Sequence, residues 1–364
     1  MLALQQQLRE RLERQPVQFL LRDLEAGLDG AREALARFVG ADAADLVFVP
    51  NATTGVNTVL RSLSFRAGDE LLVTDHEYNA CRNAFEFAAA RSGARIVVAK
   101  IPFPLANEEE ILAAILERIT PRTRLALIDH ITSPTGLVLP IERLARELQA
   151  RGVELLVDGA HAPGMVPLDL RNLGATYYTG NCHKWLCAPK VAGFLWVRDD
   201  RQPSIRPLVI SHGANSERTD RSRYLIEFAW TGTGDPTPAL CVPEALRFME
   251  SRLPGGWPEL MQRNRELALA ARRVLCTALG IEPPAPDSLI GALASVPIAD
   301  ARGDRKLDAL ELDPLQDRLL AEHAIEVPVF AWPAWPRRLL RVSAQLYNSL
   351  PQYEALAAAL RRLQ

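Results

Sequence analysis

Short apolar runs alternate with helix-like segments through the first two hundred residues, and this alternation restricts the possible folds most. The runs are apolar throughout, so each predicts a strand that is buried on both faces. Strands that alternate with helices in this way form a largely parallel sheet with helices on both sides. The clearest predicted strands are residues 46–49, 70–74, 95–100, 124–129 and 153–158.

Polar residues follow several of these predicted strands directly. In a parallel sheet, ligands gather at the carboxyl ends of the strands, so these segments predict one large site at one edge of the sheet. The segments are Asn51-Ala-Thr-Thr, Thr74-Asp-His-Glu-Tyr, Asp129-His-Ile-Thr-Ser, Asp158-Gly-Ala-His and Gly180-Asn-Cys-His-Lys.

The length of 364 residues exceeds that of one average domain and predicts two. We expect an N-terminal helical segment at 1–20, a large domain with the ligand site at 21–242, and a smaller α+β domain at 243–364. The spacing of apolar residues predicts helix from residue 2 to 39, ending at Gly40.

Charge and composition disfavour several partners. The formal net charge is −2 with both signs interspersed, which disfavours nucleic acid and acidic membranes as partners. No apolar run approaches the ~20 residues of a membrane span, and the first residues do not resemble a signal peptide. The five cysteines are odd in number and scattered, as is typical of free thiols in a reducing cytoplasm. We therefore expect a cytoplasmic protein.

Lys184 is a candidate nucleophile. The chain has 42 positively charged residues but only four lysines, and Lys184 lies between His183 and Trp185 after an apolar-aromatic run. Arginine can replace lysine as a surface charge but not as an amine nucleophile. The sequence therefore suggests imine formation with a carbonyl cofactor; the alternative is a surface lysine without a chemical role.

The segment that begins at Asn51 follows a predicted strand and opens a predicted helix. Backbone N–H groups and the helix dipole make such a terminus an anion site, and Thr53 and Thr54 add hydroxyl groups. The alternative is ordinary capping of the helix by Asn51 or a threonine.

Asp158 ends a predicted strand whose preceding residues are apolar, so its carboxylate should be buried and needs a partner. A protonated ring nitrogen of a cofactor is one such partner, and His161 could reach the same ligand. The alternative is an aspartate that caps the following turn.

Two other kinds of site are disfavoured. Cys182, His183 and Cys187 are close in sequence, but no second ligand pair at zinc-site spacing accompanies them, so we expect no metal. The glycine patterns of nucleoside-triphosphate and dinucleotide sites are also missing, which argues against a nicotinamide dehydrogenase.

A phosphate site, an acid for a ring nitrogen and a lysine for an aldehyde together match pyridoxal 5′-phosphate. With these residues in place, the chain resembles the class V aminotransferase family of fold-type-I pyridoxal-phosphate enzymes, and most closely the isopenicillin-N epimerase-like proteins. The resemblance covers nearly the whole chain. It is found in Asn51-Ala-Thr-Thr-Gly-Val-Asn57, Thr74-Asp-His-Glu-Tyr-Asn79, Asp129-His-Ile-Thr-Ser-Pro-Thr-Gly136, Val157-Asp-Gly-Ala-His161, Thr179-Gly-Asn-Cys-His-Lys-Trp185, Trp230-Thr-Gly-Thr233 and Arg341-Val-Ser-Ala-Gln-Leu-Tyr-Asn348.

The resemblance implies a fold: a large, mostly parallel seven-stranded sheet domain and a smaller α+β C-terminal domain. It also implies roles for individual residues. Lys184 would hold the cofactor covalently, and Asp158 would pair with its ring nitrogen. The other implied cofactor contacts are His161 near the phenolic oxygen, His76 stacked on the ring, Ser133 beside the ring substituents, and Thr53, Asn181 and His183 at the phosphate with Thr54 close by.

The resemblance further implies a substrate site and a partner. Arg341 would bind the α-carboxylate of an amino-acid substrate, with Tyr78 and Asn348 nearby. Thr233 would reach the cofactor phosphate of a second subunit, which predicts a homodimer with sites at the interface.

The implied activity is chemistry at the α carbon of an amino acid. The main expectation is epimerase or racemase chemistry; a C–S lyase, a cysteine-desulfurase-like enzyme and a class V aminotransferase are the alternatives. Related cysteine desulfurases carry a nucleophilic cysteine shortly before the position of Arg341, and residues 325–332 contain none, which disfavours persulfide transfer. Family members also usually begin with a segment resembling Leu-Asn-His-Gly-Ser-Phe-Gly, and this chain starts after it. A cofactor-binding protein without catalysis is therefore a second hypothesis.

Overall fold

The structure is a computed structural model that describes residues 1–303, 306–308 and 310–363. Its first sheet contains β1 (Leu46–Val49), β2 (Glu70–Thr74), β3 (Arg95–Ala99), β4 (Thr123–Asp129), β5 (Glu154–Gly159), β6 (Tyr177–Asn181) and β7 (Gly193–Val197). A second sheet contains β8 (Leu293–Ile298), β9 (Val329–Ala331) and β10 (Arg338–Ser343). The longer helices are Leu2–Arg14, Leu24–Val39, Ala52–Ser62, Asn79–Ser92, Glu108–Leu116, Ile141–Ala150, Arg223–Ala229, Val242–Glu250, Gly256–Leu279, Pro314–His323 and Leu350–Leu363.

The first sheet has the strand order β1-β7-β6-β5-β4-β2-β3. Strand β7 pairs antiparallel with both β6 and β1, while β2, β3, β4, β5 and β6 pair in parallel. Outside the edge strand β3, most apolar side chains along these strands are buried on both faces, as their apolar sequences predict. The predicted mostly parallel, seven-stranded sheet is therefore confirmed.

Packing of the helix Ala52–Ser62 on β6 depends on a glycine. A Cβ atom on Gly55 would lie 2.1 Å from the Thr179 hydroxyl oxygen, so only glycine permits this close approach. Because the helix lies so near β6, its first turn comes close to the residues that follow that strand. As a result, Thr53 in this helix and Lys184 after β6 line the same cavity.

The second sheet is antiparallel, with order β8-β10-β9, and it lies against the loop after β4. Ser295 on β8 donates to the carbonyl of Pro134 at 2.8 Å. Gly136 takes a positive φ of 71°, and a Cβ atom there would press on Leu293. The smaller α+β C-terminal unit is thus confirmed, and it adjoins the carboxyl end of β4.

The N-terminal helix differs from the prediction. Residues 2–39 do not form one helix, because the helix Leu2–Arg14 ends where Gln15 leaves the helical conformation, with φ −142° and ψ 64°. Proline disfavours helical geometry in the residue before it, and Pro16 follows directly. After a π-helical turn at Phe19–Asp23, the helix Leu24–Val39 ends at Gly40 as predicted.

Candidate active site

A cavity of about 240 Å³ opens at the carboxyl ends of β4, β5 and β6. These three strands are neighbours in the sheet, and each has a polar residue at or next to its carboxyl end that lines the cavity. The lining residues come from all five polar segments that the sequence places after strands. They are Asn51, Ala52, Thr53, Tyr78, Asp129, Ile131, Ser133, Asp158, Ala160, His161, Asn181, His183 and Lys184.

Lys184 lies in this cavity beside His161. Its amine nitrogen Nζ is 3.1 Å from His161 Nε2. On the other side of the imidazole, the indole N–H of Trp185 donates to Nδ1 at 3.3 Å. The predicted nucleophile is therefore a partly buried amine with a defined hydrogen-bond partner, and not a surface charge.

The pKa of Lys184 is lowered by burial, and the charge of Arg341 lowers it further. Asp158, Asp129 and Cys81 act in the opposite direction. The pKa of His161 falls well below its usual value, first because of burial and then because of the charges of Lys184 and Arg341. A neutral imidazole and an amine with reduced basicity therefore face each other.

Asp158 extends from β5 into the cavity, where it is 4% exposed. Its Oδ1 accepts from the backbone of Ala160 at 2.9 Å, which is the turn-capping contact considered as an alternative. Its Oδ2 accepts from the thiol of Cys81 at 3.1 Å. The carboxylate thus caps the turn and also lines the cavity, so the two interpretations are compatible. The role of Cys81 has no signal in the sequence.

Asp129 is a cavity residue that the analysis of the sequence did not assign as a site. It ends β4, is 3% exposed, and pairs in register with Asp158 on β5. Its Oδ1 has no hydrogen-bond partner within residues 1–303, 306–308 and 310–363. Burial and the negative charge of Asp158 raise the pKa of Asp129 well above its usual value. Its place after an apolar strand, like that of Asp158, could have identified it.

The helix that begins at Ala52 presents its first turn to the cavity. Asn181 Oδ1 accepts from the backbone N–H of Ala52 at 2.9 Å, which connects β6 to the helix. Asn51 caps the helix by accepting from the N–H of Thr54 at 2.8 Å and from its hydroxyl at 3.1 Å. Thr53 lines the cavity, while Thr54, which the resemblance places close to the phosphate, uses its hydroxyl in this cap.

His183 and Ser133 also lie on the cavity wall. Nδ1 of His183 lies 2.8 Å from the carbonyl of Ala192, which leaves Nε2 as the nitrogen available to a ligand. Ser133 is partly buried in the loop after β4.

Arg341 reaches this site from β10 of the second sheet. Its guanidinium donates to the backbone carbonyl of Ser133 and, at 3.0 Å, to the Ser133 hydroxyl. The face of the Phe330 ring lies 5.2 Å from the guanidinium carbon. Burial lowers the pKa of Arg341 to about 10. Its Nε has no partner among the described residues, so one N–H group is available for a ligand.

His76 does not line the cavity, which corrects the expected stacking role. Its ring is fully buried, with Nδ1 2.8 Å from the Thr135 hydroxyl and Nε2 3.0 Å from the Ile101 carbonyl. Trp332 packs edge-on against it at 4.7 Å between ring centroids. Two residues further on, Tyr78, which is 49% exposed, lines the cavity instead.

Asn348 lies outside the cavity wall as well. Its side-chain oxygen accepts from the backbone of Gln345 at 3.1 Å, and its amide donates to Gln352 at 3.2 Å. These bonds hold the turn that opens the helix Leu350–Leu363, so the expected substrate contact is replaced by a structural one. Thr233 is exposed on the surface and does not reach the cavity of its own chain.

The described residues contain neither a cluster of metal ligands nor a membrane-spanning helix. No group of three or more histidine, cysteine or acidic side chains that could hold a metal ion was found among them. None of the helices in the described part of the chain is both long and apolar enough to cross a membrane.

The residues of the cavity fit pyridoxal phosphate. Lys184 offers an amine for the aldehyde, Asp158 a carboxylate for the ring nitrogen, and Thr53 at a helix N-terminus a site for the phosphate. The buried Oδ1 of Asp129, which lacks a partner in the described residues, also indicates that a polar ligand belongs in this cavity.

The family model described as aminotransferase class-V matches residues 15–282. The chain is 37% identical to an isopenicillin N epimerase of Amycolatopsis lactamdurans, over 98% of this chain and 89% of that protein. It is 31% identical to a putative L-cysteine desulfhydrase of Oryza sativa subsp. japonica, over 96% of this chain and 77% of that one.

A solved structure of a C-DES mutant with glycine covalently linked to its PLP cofactor has the same fold. The TM-score is 0.77 and the sequence identity 23%, with 99% of this chain and 92% of that chain covered. Both the family and the cofactor predicted from the sequence are therefore confirmed, and this chain belongs to the class V aminotransferase family of pyridoxal-phosphate enzymes.

Proposed function

We propose that the protein acts at the α carbon of an amino acid by epimerase or racemase chemistry. The observation that best supports the proposal is a cavity lined by Lys184 and Asp158, with Arg341 hydrogen-bonded to Ser133 on its wall. Similarity to isopenicillin N epimerases at 37% and 35% identity over nearly the whole chain supports the reaction type.

Each of the three residues has a task in this proposal. Bound pyridoxal phosphate supplies an electron-withdrawing ring that makes the Cα proton of an amino acid more acidic. Lys184 would hold the cofactor through its amine, and its Nζ would also be the base that accepts the Cα proton of the substrate. Asp158 would hold the ring nitrogen of the cofactor in its protonated form. Arg341, which is anchored to Ser133, binds the substrate carboxylate and so fixes the orientation of Cα toward Lys184.

A C–S lyase is the second candidate, because β-elimination begins with the same proton removal. Relatives described as L-cysteine desulfhydrases, at 29–31% identity, favour this candidate. A desulfurase that transfers persulfide is disfavoured, since the segment 325–332 before Arg341 contains no cysteine.

The proposal includes a homodimer in which Thr233 reaches the partner's cofactor. The exposed position of Thr233 supports this assembly. A run of exposed apolar side chains at Leu208, Val209 and Ile210, which are 41%, 57% and 57% exposed, also supports a contact with another chain.

A screen of L-amino acids in heavy water, read by NMR, tests the proposal. Exchange of the α proton with inversion supports epimerase chemistry, and release of a β substituent supports the lyase. Lys184→Ala should abolish either outcome, whereas Lys190→Ala, at an exposed lysine six residues away, should not. If the cofactor-loaded wild-type protein exchanges no α proton of any amino acid, the proposal is wrong.

A further inference from the structure

Trp185, His161 and Lys184 form a row of hydrogen bonds. The indole N–H of Trp185 lies 3.3 Å from His161 Nδ1, and His161 Nε2 lies 3.1 Å from Lys184 Nζ. An indole nitrogen can donate a hydrogen bond but cannot accept one. Nδ1 of His161 must therefore be the acceptor, with a free lone pair.

This contact determines where His161 carries its proton. A neutral imidazole has one N–H, so with Nδ1 unprotonated the proton must be on Nε2. A doubly protonated ring would place an N–H against the indole N–H of Trp185. Nε2 of His161 consequently donates, and Lys184 Nζ accepts. Only an uncharged amine has the lone pair to do so.

We propose that Trp185 is a positioning residue that fixes the Nε2–H tautomer of His161, which in turn stabilises Lys184 as a neutral nucleophile. The tautomer is a property of the chain alone. Its use in cofactor attachment rests on the proposed function. Condensation of a neutral amine with an aldehyde releases one water and needs no oxidant or reductant, whereas an ammonium group has no lone pair with which to begin it.

Other charged groups around Lys184 do not determine its state by themselves. Asp158 on β5, Asp129 on β4 and Cys81 on the helix Asn79–Ser92 favour the ammonium form, while Arg341 on β10 favours the amine. These influences oppose one another. The hydrogen bonds from Trp185 to His161 and from His161 to Lys184 add a directional N–H donor at Nε2 of His161, and only the uncharged amine of Lys184 can accept from it.

Trp185 is held firmly enough to act in this way. Its side chain is 7% exposed and belongs to the main apolar core. Its backbone lies against Gly164, where an added Cβ atom would be 3.0 Å from the Trp185 carbonyl carbon. A buried and tightly packed indole can orient a neighbouring ring before any ligand arrives.

Ring-nitrogen NMR of the apo-protein, labelled with ¹⁵N at histidine, tests the tautomer directly. The signals of His161 are assigned by their loss in His161→Gln. We expect Nε2 to be protonated and Nδ1 to be unprotonated in the wild type at neutral pH. A wild-type protein with the proton on Nδ1 of His161 would overturn the proposal, and this measurement needs no tryptophan variant to fold.

Trp185→Phe removes the indole N–H while keeping an aromatic ring. We expect the tautomers of His161 to mix and the rate of borohydride-trapped cofactor attachment at neutral pH to fall roughly fivefold to tenfold, as for the loss of one hydrogen bond. The matched control is Trp257→Phe. Trp257 is 6% exposed, and its indole donates to the Leu246 carbonyl far from the site.

A purely structural role predicts that both variants lose stability alike and keep the wild-type ring-nitrogen signals and attachment rate. That result would overturn the proposal. If the tautomer is as expected but no amino acid exchanges its α proton, the proposed function fails and the inference about Trp185 remains.

Discussion

Asp129 and Asp158 pair in register at the ends of two neighbouring parallel strands, and both carboxyl groups line the same cavity. Two negative charges this close, with little solvent, repel each other strongly. The pair is asymmetric, because Asp158 accepts from Ala160 and Cys81 while Oδ1 of Asp129 has no partner in the described residues. Burial and the negative charge of Asp158 raise the pKa of Asp129, so Asp129 keeps a proton to a higher pH than an ordinary aspartate does.

Asp129→Asn should stabilise the apo-protein at alkaline pH. The pKa of Asp129 is higher in the folded protein than in the unfolded chain, where it is about 4. Asp129 therefore contributes most to the stability below about pH 4, and this contribution is lost as the pH rises through the pKa of the folded protein. Asparagine cannot ionise, so the gain should increase with pH, by about 1.4 kcal/mol for each tenfold difference in proton affinity. Urea unfolding of both proteins from pH 4 to 9 measures it.

Asp313→Asn is a useful contrast. Asp313 is also buried but forms an ion pair with Arg338 at 2.9 Å and caps the helix Pro314–His323. Its replacement should therefore reduce stability at neutral pH. Equal behaviour of the two variants would contradict the special position of Asp129.

Lys184→Ala should give a protein that binds pyridoxal phosphate without a covalent link. The wild type should be yellow and should retain the cofactor after borohydride reduction and denaturation. Lys190→Ala should behave like the wild type because that side chain is exposed and does not line the cavity. Mass spectrometry of the reduced proteins decides, and a reduced cofactor still attached in the Lys184 variant would show that another amine is the nucleophile.

Asp158→Asn should fold and retain much of its cofactor but lose most of its α-proton exchange. The carboxylate is proposed to hold the ring-nitrogen proton, and a hydrogen bond to a charged group contributes about 1.5–3 kcal/mol. Asp199→Asn, at an exposed position, makes the same chemical change without this consequence. Exchange rates measured by NMR in heavy water compare the two. Near-wild-type exchange in the Asp158 variant would refute its role.

The strand pattern made both the sheet and the edge that holds the site predictable. Lys184, Asp158 and Asn181 were identifiable because each lies at or just after the carboxyl end of a strand, and the carboxyl ends of β4, β5 and β6 adjoin one cavity. Side-chain direction within a turn was not predictable. His76 and Tyr78 are two residues apart, yet one packs under Trp332 while the other lines the cavity, and tertiary packing decides between them.

Contacts between segments that are distant in sequence could not be predicted either. The thiol of Cys81 reaches Asp158 across 77 positions, and no local pattern encodes that approach. The same holds for the bond from Arg341 to Ser133, which depends on how the second sheet lies against the loop after β4. Asn348 was assigned to the substrate although its local turn uses both ends of its amide.

In the proposed assembly, Thr233 contacts the cofactor of a second subunit. This residue is exposed in Trp230-Thr-Gly-Thr and lies away from the cavity of its own chain, as expected of a residue that serves a second subunit. We expect a two-fold dimer whose cofactor binding and association are linked, because a ligand that binds only the dimer stabilises it by mass action.

Thr233→Ala should weaken cofactor affinity by about 1 kcal/mol, the contribution of one neutral hydrogen bond. Thr231→Ala, at an equally exposed threonine two residues earlier, is the control and should bind normally. Sedimentation across a dilution series, with and without cofactor, measures the linkage. Since each site is proposed to need both chains, a stable monomer with full cofactor affinity would contradict the assembly, and equal affinities of the two variants would remove Thr233 from the site.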